Sequence, residues 1–388
     1  MPRIIFHLDL DTFFVSVERL LDPSLAGKPV IVSPGAARSV VSAASYEARR
    51  YGVHSAQPLA QAKRLCPQAV VCPGNFRAYR RYSRAFFRIL KNYSPQLEPA
   101  SLDEAYLDYT ASRGLFGPAL PAAAQIQARV GAELGLDVSI GIAASKLVAK
   151  MASDLAKPAG VLYVAPGREA ALLSPLPIRR LFGVGPKTES RLRAFGLRTI
   201  GDLARVPRAL VGKAFGEAGV FLQALARGED DSVVQEREQA KSVSHEETFG
   251  VDTTDPGVLR AALHRLVCEV GYRLRRAGLR ARTVCVKLRY ADFSLRTRSR
   301  TLTEPTALDP VLFAAAADLL ARAQDRRVRV RLVGFAAQQL LAGGEQLDLL
   351  DVRGLEKMRR LHAALDRVRG RYGYDTVAWA SLLRQEVE

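Results

Sequence analysis

Apolar and polar positions change rhythm several times along this chain. From Ile4 to Leu10 most positions are apolar, which predicts a buried strand. Phe13 to Leu21 then takes a helical spacing that Asp22-Pro23 ends. Pro29 to Ser33 and Val40 to Ser45 read as short strands around a Pro34-Gly35 turn. Tyr46 to Tyr51 and Pro58 to Leu65 read as small helices. Tyr79, Tyr82, Phe86, Ile89 or Leu90, and Tyr93 recur at helical spacing. Leu97 to Ser101 and Ala105 to Tyr109 form a strand pair with Asp103 and Glu104 at the bend. Ala122 to Leu134 predicts a helix, Val138 to Ile142 a strand, Ser145 to Ala156 a helix and Val161 to Val164 a strand. Helices alternating with mostly antiparallel strands give an α+β class.

Beyond Pro166 the pattern changes to short helices with glycine-rich turns, up to Gly228. Gln235 to Ser244 is polar and reads as a linker. Lys241 to Leu341 returns to mixed strand and helix. Gly343 to Glu388 is a tail with one helix over Leu355 to Tyr372. The 388 residues suffice for two to four domains.

Charge sharpens the picture. Lys and Arg number 57 against 39 Asp and Glu, a formal charge of +18. Such an excess suits a polyanionic partner, because each neutralised phosphate releases counterions. Cys66, Cys72, Cys268 and Cys285 form no C-x-x-C pair, and the five histidines are scattered, which argues against zinc and against a disulfide framework. Reduced thiols fit a cytoplasmic protein. Asp9 and Asp11 lie inside the first apolar run, so it does not read as a secretory leader. No uncharged apolar run reaches the roughly 18 residues of a membrane span.

Against that basic background, two acidic stretches stand out in strand-like surroundings: Asp9-Leu10-Asp11 and Ser101-Leu102-Asp103-Glu104. Burying carboxylates is costly unless a cation neutralises them. Taken singly, each acid reads as a surface or capping residue. As a set flanked by apolar residues they read as a metal site. Asp9 and Asp11 share a face of a strand. Asp103 and Glu104 need a bend to reach one site. Hard oxygen donors without His or Cys favour Mg²⁺. Two such ions can clamp an in-line displacement at phosphorus, so the set points to nucleotidyl transfer.

Five further motifs accompany that acidic set. Arg49, in Tyr46-Glu47-Ala48-Arg49, is a fork-shaped donor suited to phosphate. Lys157 precedes a proline at a helix end, where its ammonium can reach a triphosphate. Leu181-Phe182-Gly183-Val184-Gly185-Pro186-Lys187 reads as a helix-hairpin-helix turn with exposed N–H groups for a phosphate. Lys287 and Arg289, then Arg296, Arg298 and Arg300, then Arg329 and Arg331, alternate with other residues, placing cations on one face of each strand. Gln346-Leu347-Asp348-Leu349-Leu350 resembles a short docking peptide.

In this order, these motifs resemble the Y-family DNA polymerases of the bacterial polymerase IV type, over about Arg3 to Leu341. The resemblance implies a multidomain right hand: a ferredoxin-like palm (1–17 and 76–165), small fingers (18–75), a helical thumb (166–232), a linker (233–240), an α/β little finger (241–341) and a tail (342–388). It implies Asp9, Asp103 and Glu104 as catalytic ligands of two Mg²⁺, with the Leu10 carbonyl; Asp11 matches without being a ligand. It implies nucleotide contacts from Phe13, Phe14, Ser42, Tyr46, Arg49 and Lys157, with Phe14 as the gate against a 2′-hydroxyl and Ser42 and Ala44 near the templating base. DNA contacts would come from Gly183, Gly185, Lys187, Lys241, Arg296, Arg298 and Arg300. Gln346, Leu347, Leu349 and Leu350 would bind a sliding clamp. Ser45 and Ser145 stand where asparagine is often found, at the expense of a hydrogen bond. The implied protein is a cytoplasmic monomer that takes primer-template DNA and deoxynucleoside triphosphates, binds no membrane, and makes errors while copying damaged templates. An inert DNA-binding adaptor would have lost the carboxylates. A palm-fold nucleotidyl cyclase would not need the hairpin glycines or the basic strands.

Overall fold

The computed structural model describes residues 2–236, 240–343, 352–377 and 379. It divides into two units, Met1–Arg237 and Glu238–Glu388.

In the first unit, β1 (Ile5–Leu10) runs into α1 (Phe13–Leu21). Thr12 makes the turn at φ 45°, in the left-handed region. A small module follows: β2 (Val30–Val32), β3 (Ala43–Ala44), α2 (Tyr46–Arg49), α3 (Leu59–Leu65) and β4 (Val70–Cys72). Then come α4 (Phe76–Lys91), β5 (Leu97–Pro99), β6 (Glu104–Asp108), α5 (Arg113–Phe116), α6 (Ala119–Leu134), β7 (Val138–Ala143), α7 (Lys146–Ala156) and β8 (Val161–Tyr163). Four helices complete the unit: α8 (Glu169–Leu173), α9 (Pro186–Ala194), α10 (Ile200–Arg205) and α11 (Arg208–Ala226).

The main sheet has the order β5-β6-β1-β7-β8 and is antiparallel except for β7 with β8. β1 is therefore central and fully buried. Its two-residue period divides its side chains between two cores. Phe6, Leu8 and Leu10 pack with Phe86, Leu90 and Ile126 of α4 and α6. Ile5 packs with Leu147, Val148 and Met151 of α7. Burying each large side chain contributes roughly 1.5–3 kcal/mol, which holds β1 and its acids in place. α7 lies very close to the sheet. A Cβ on Gly141 would stand 1.9 Å from the Ala149 carbonyl oxygen, so only glycine fits there. Ser145 caps α7 by accepting from the Val148 N–H at 3.4 Å.

Several predicted elements are shorter or displaced. Val40 to Ser45 contributes only Ala43–Ala44 and a single bridge from Val40 to Pro58. β4 was not anticipated; it pairs in parallel with β2, in the sheet β3-β2-β4. Three residues are too few for a period to show. α11 is long and apolar enough to span a bilayer by length and composition alone. Gly216 breaks it at φ 66°, leaving two pieces each too short to cross.

The second unit comprises β9 (Ser242–Thr253), α12 (Pro256–Arg276), β10 (Leu279–Tyr290), β11 (Leu295–Thr306), α13 (Asp309–Ala323), β12 (Val330–Ala342) and α14 (Val352–Tyr372). β9 starts at Ser242, inside the stretch expected to be linker, because Ser242 to Thr253 alternates its burial as an edge strand does. The sheet order is β11-β10-β12-β9, all antiparallel. Val284, Val286 and Leu288 of β10 and Phe335 of β12 bury against α12 and α13.

Candidate active site

The two acidic stretches, some ninety residues apart in sequence, meet on the main sheet. Asp9 of β1 lies directly opposite Glu104 of β6. The Leu10 N–H donates to the Asp103 carbonyl at 3.0 Å, so the turn before β6 lies against the end of β1. Ser101 shapes that turn. Its Oγ accepts from the N–H groups of Asp103 (3.2 Å) and Glu104 (3.1 Å) and donates to the Asp103 carboxylate. The expected bend is present, and Ser101 is its cause.

Each acid has its own partner. Lys157 Nζ lies 2.6 Å from Asp9 Oδ2, and Lys150 Nζ 2.9 Å from Glu104 Oε2. His7 is fully buried and holds Ser153 Oγ through Nδ1 at 2.6 Å. Its Nε2 stands 3.8 Å from Glu104 Oε2, an electrostatic contact rather than a hydrogen bond. Asp11 is saturated: it accepts from Ser139 Oγ (2.9 Å), the Ala159 N–H (2.6 Å) and Tyr46 OH (3.2 Å). Asp11 is thus a structural hub at the end of β1.

These environments separate the carboxyls electrostatically. Burial pushes Asp9 up to about 7, against the pull of Lys157. Burial also raises Asp103. Glu104 is held well below the usual carboxylate range, first by His7 and then, against its own burial, by Lys150. Buried carboxyls next to one another resist ionising together unless a cation arrives.

The donor set fits a hard divalent cation. It consists of carboxylate and carbonyl oxygens, with the His7 imidazole behind Glu104. Among the described residues no three His, Cys, Asp or Glu groups already close a cage. The ammonium groups of Lys157 and Lys150 stand in for the positive charge that Asp9 and Glu104 require.

Aromatic and cationic groups flank the acids. Phe13 is buried in the core, whereas Phe14 is half-buried and stacks on Tyr79, with ring centroids 4.3 Å apart and planes 15° apart. Phe76 meets Phe14 edge-on at 5.6 Å. Tyr79 in turn donates to Glu18. Arg49 is exposed; its guanidinium lies over the Tyr46 ring at 5.3 Å and its Nε donates to the Ala44 carbonyl at 3.0 Å. Ser42 is half-buried and its N–H donates to the Val32 carbonyl. Ser45 Oγ accepts from the N–H groups of Val30 (3.0 Å) and Ala48 (3.2 Å).

Other sequence-selected residues lie elsewhere. Gly183 takes φ 87° between a 3-10 turn (Ile178–Arg180) and α9, and Gly185 caps α9. Gly183, Gly185 and Lys187 are exposed, as a phosphate-gripping turn requires. Lys241 is exposed at the start of β9.

The basic strands carry their cations as the alternation predicts. Each strand does keep its cations on one side, but the strands do not share that side. Arg296, Arg298 and Arg300 lie beside the buried Leu288, Val286 and Val284, on the helix-bearing side of the sheet. There they pair with Asp325 (3.3 and 3.5 Å) and Asp318 (3.5 Å). Lys287 points to the opposite side and pairs with Glu246 at 2.8 Å. Acids from sequence-distant elements thus lie beside these cations. Gln346, Leu347, Leu349 and Leu350 lie outside the described residues.

Sequence reasoning assigned no role to His7, Ser101, Ser139, Lys150 or Ser153. Lys150 and Ser153 lie at i and i+3 of α7 and so share a face, which was the available signal for them.

Comparison with known proteins agrees with this geometry. Residues 8–154 match the impB/mucB/samB family, residues 166–197 the IMS family HHH motif, and residues 240–349 the impB/mucB/samB family C-terminal domain. A DNA polymerase IV of Dehalococcoides mccartyi is 43% identical over 377 residues, covering 97% of this chain and 96% of the relative. Another, of Methanoculleus marisnigri, is 45% identical over 345 residues, covering 88% and 95%. A solved Y-family DNA polymerase chimera, Dbh-Dpo4(243-245)-Dbh, superposes with a TM-score of 0.79 at 26% identity, covering 88% of this chain and all of that one. With its carboxylates meeting on the central strands and relatives matched over almost its whole length, the chain belongs to the impB/mucB/samB family, the Y-family DNA polymerases of the polymerase IV type.

Proposed function

We propose that this polymerase adds deoxynucleotides to a primer 3′-hydroxyl with low fidelity and across damaged templates, through Asp9, Asp103 and Glu104. The observation that carries the reading is the pairing of Asp9 with Glu104 across β1 and β6, with Asp103 fastened to Leu10. Asp9, Asp103, Glu104 and the Leu10 carbonyl would hold two Mg²⁺. When bound, these ions supply Lewis acidity and charge neutralisation at the reacting phosphate.

The chain's own residues do the positioning. Ser101 holds Asp103 in its turn. Lys157 and the exposed Arg49 are cations within reach of a triphosphate, and Tyr46 sits beside Arg49. Binding a triphosphate draws Lys157 from Asp9 toward phosphate oxygens and frees Asp9 for metal. Phe14, braced on Tyr79, presents an aromatic face where the sugar lies and leaves no room for a 2′-hydroxyl. Gly183, Gly185 and Lys187 grip a duplex phosphate.

In this reading residues 1–17 and 76–165 are the palm, 18–75 the fingers, 166–232 the thumb, 233–240 the linker, 241–341 the little finger and 342–388 the tail. The division between the two units at residue 237 falls within that linker, which supports it. The fingers hold only a three-stranded sheet and short helices. A small lid encloses the new base pair loosely, and loose enclosure is the physical basis expected for lesion tolerance. Primer extension opposite a bulky adduct, set against an intact base, tests this; a complete block at the adduct would refute it.

A further inference from the structure

α14 begins after residue 349, the last residue of the matched C-terminal domain. One side of it is locked onto the second unit. Arg275 of α12 bonds Asp366 twice, at 2.7 and 3.1 Å, and Asp309 at 2.6 Å. His362 and Asp309 are both 1% exposed and meet at 3.2 Å. Arg369 is buried, donates to the Val377 carbonyl at 3.0 Å and covers the Tyr374 ring at 4.5 Å. Removing one member of such a buried network leaves charge unpaired, so the helix has one defined rotation.

The opposite side has a different character. Lys357, Arg360, Arg367 and Arg371 are exposed and recur at i, i+3, i+10 and i+14, one face of a helix. Leu361, Val368 and Tyr372 are exposed between them. The two described acids of α14 are already engaged, Glu356 with Arg360 and Asp366 with Arg275. Lys357 and Arg367 have no acidic partner among the described residues. At about 1.5 Å rise per residue the four cations span about 21 Å, with about 10 Å between Arg360 and Arg367. That gap is close to the roughly 12 Å width of the DNA major groove.

We propose that this outer face of α14 contacts the phosphates of duplex DNA, as a grip additional to the helix-hairpin-helix turn. A cationic face whose described acids are both engaged, held in one orientation on a DNA polymerase, complements two phosphate rows. The proposal rests on the polymerase reading only for the choice of DNA as polyanion.

The test is equilibrium binding of the full chain to duplex primer-template, by fluorescence anisotropy without nucleotide, at several salt concentrations. Lys357→Ala/Arg360→Ala/Arg367→Ala/Arg371→Ala is compared with a charge-preserving Arg360→Lys/Arg367→Lys/Arg371→Lys variant. Each lost phosphate contact lowers the slope of log K against log salt by about 0.9, so the alanine variant is expected to lose about 3 to 4 from the slope and at least roughly tenfold in low-salt affinity. The lysine variant is expected to keep both. An unchanged slope in the alanine variant overturns the proposal and leaves an acidic protein surface as the occupant. Equal loss in both variants also overturns it. The readout involves no carboxylate, so failure here is distinct from failure of the catalytic assignment.

Discussion

Lys157 places its ammonium 2.6 Å from the Asp9 carboxylate, although 148 residues separate them. The lysine leaves the end of α7, which Gly141 lets approach the sheet, and reaches the face of β1 that carries Asp9. If it transfers to the triphosphate during turnover, Lys157→Met removes a charge-assisted contact of about 1.5–3 kcal/mol. A loss of roughly 10- to 100-fold in kcat/KM for nucleotide is expected from single-nucleotide insertion kinetics. Unchanged kinetics would remove Lys157 from the nucleotide site.

Phe14 owes its position to the Tyr79 ring beneath it. Phe14→Ala opens the space over the sugar, and ribonucleotide insertion is expected to rise at least tenfold relative to deoxyribonucleotide. Competition between the two nucleotides on one primer reads this. Undiminished sugar selection would place the gate elsewhere.

Asp9 gives the fold a pH dependence of defined sign. Its pKa is about 7 in the folded chain, above the ordinary value near 3.8. Between those values the folded chain binds more protons than the unfolded one, so stability falls as pH rises from about 4 to 7. The destabilisation is fully present above pH 7 and is of the order of a few kcal/mol. Asp9→Asn is therefore expected to melt higher than the parent at pH 8 in chelator, with the gap closing toward pH 4. A gap that grows toward pH 4 would contradict the burial argument.

His7 stands behind Glu104, fixed by Ser153 through its other nitrogen. Groups of this kind orient the ligands in front of them. His7→Leu is expected to lower kcat about tenfold or more with little change in the nucleotide KM, and His7→Gln to recover part of it. Equal effects of the two variants would reduce His7 to packing.

Sequence and structure agree best where the pattern was long or the chemistry unusual. β1, α1 and α4 carried periods long enough to read, and acids inside an apolar run announced Asp9, Asp103 and Glu104. β4 is three residues long and pairs in parallel with a strand some forty residues upstream, so no local period marks it. Lys150, Ser101 and Ser153 are ordinary residues whose importance comes only from proximity in three dimensions. The pairing of Arg296, Arg298 and Arg300 was hidden for the same reason, since Asp318 and Asp325 come from a helix and the loop beyond it.

The most direct measurement is Mg²⁺-dependent primer extension by the parent and by Asp103→Ala, with primer-template affinity measured on the same preparations. The account predicts that extension falls by roughly 100-fold or more while DNA affinity is retained. Extension at the parent rate by Asp103→Ala would contradict it.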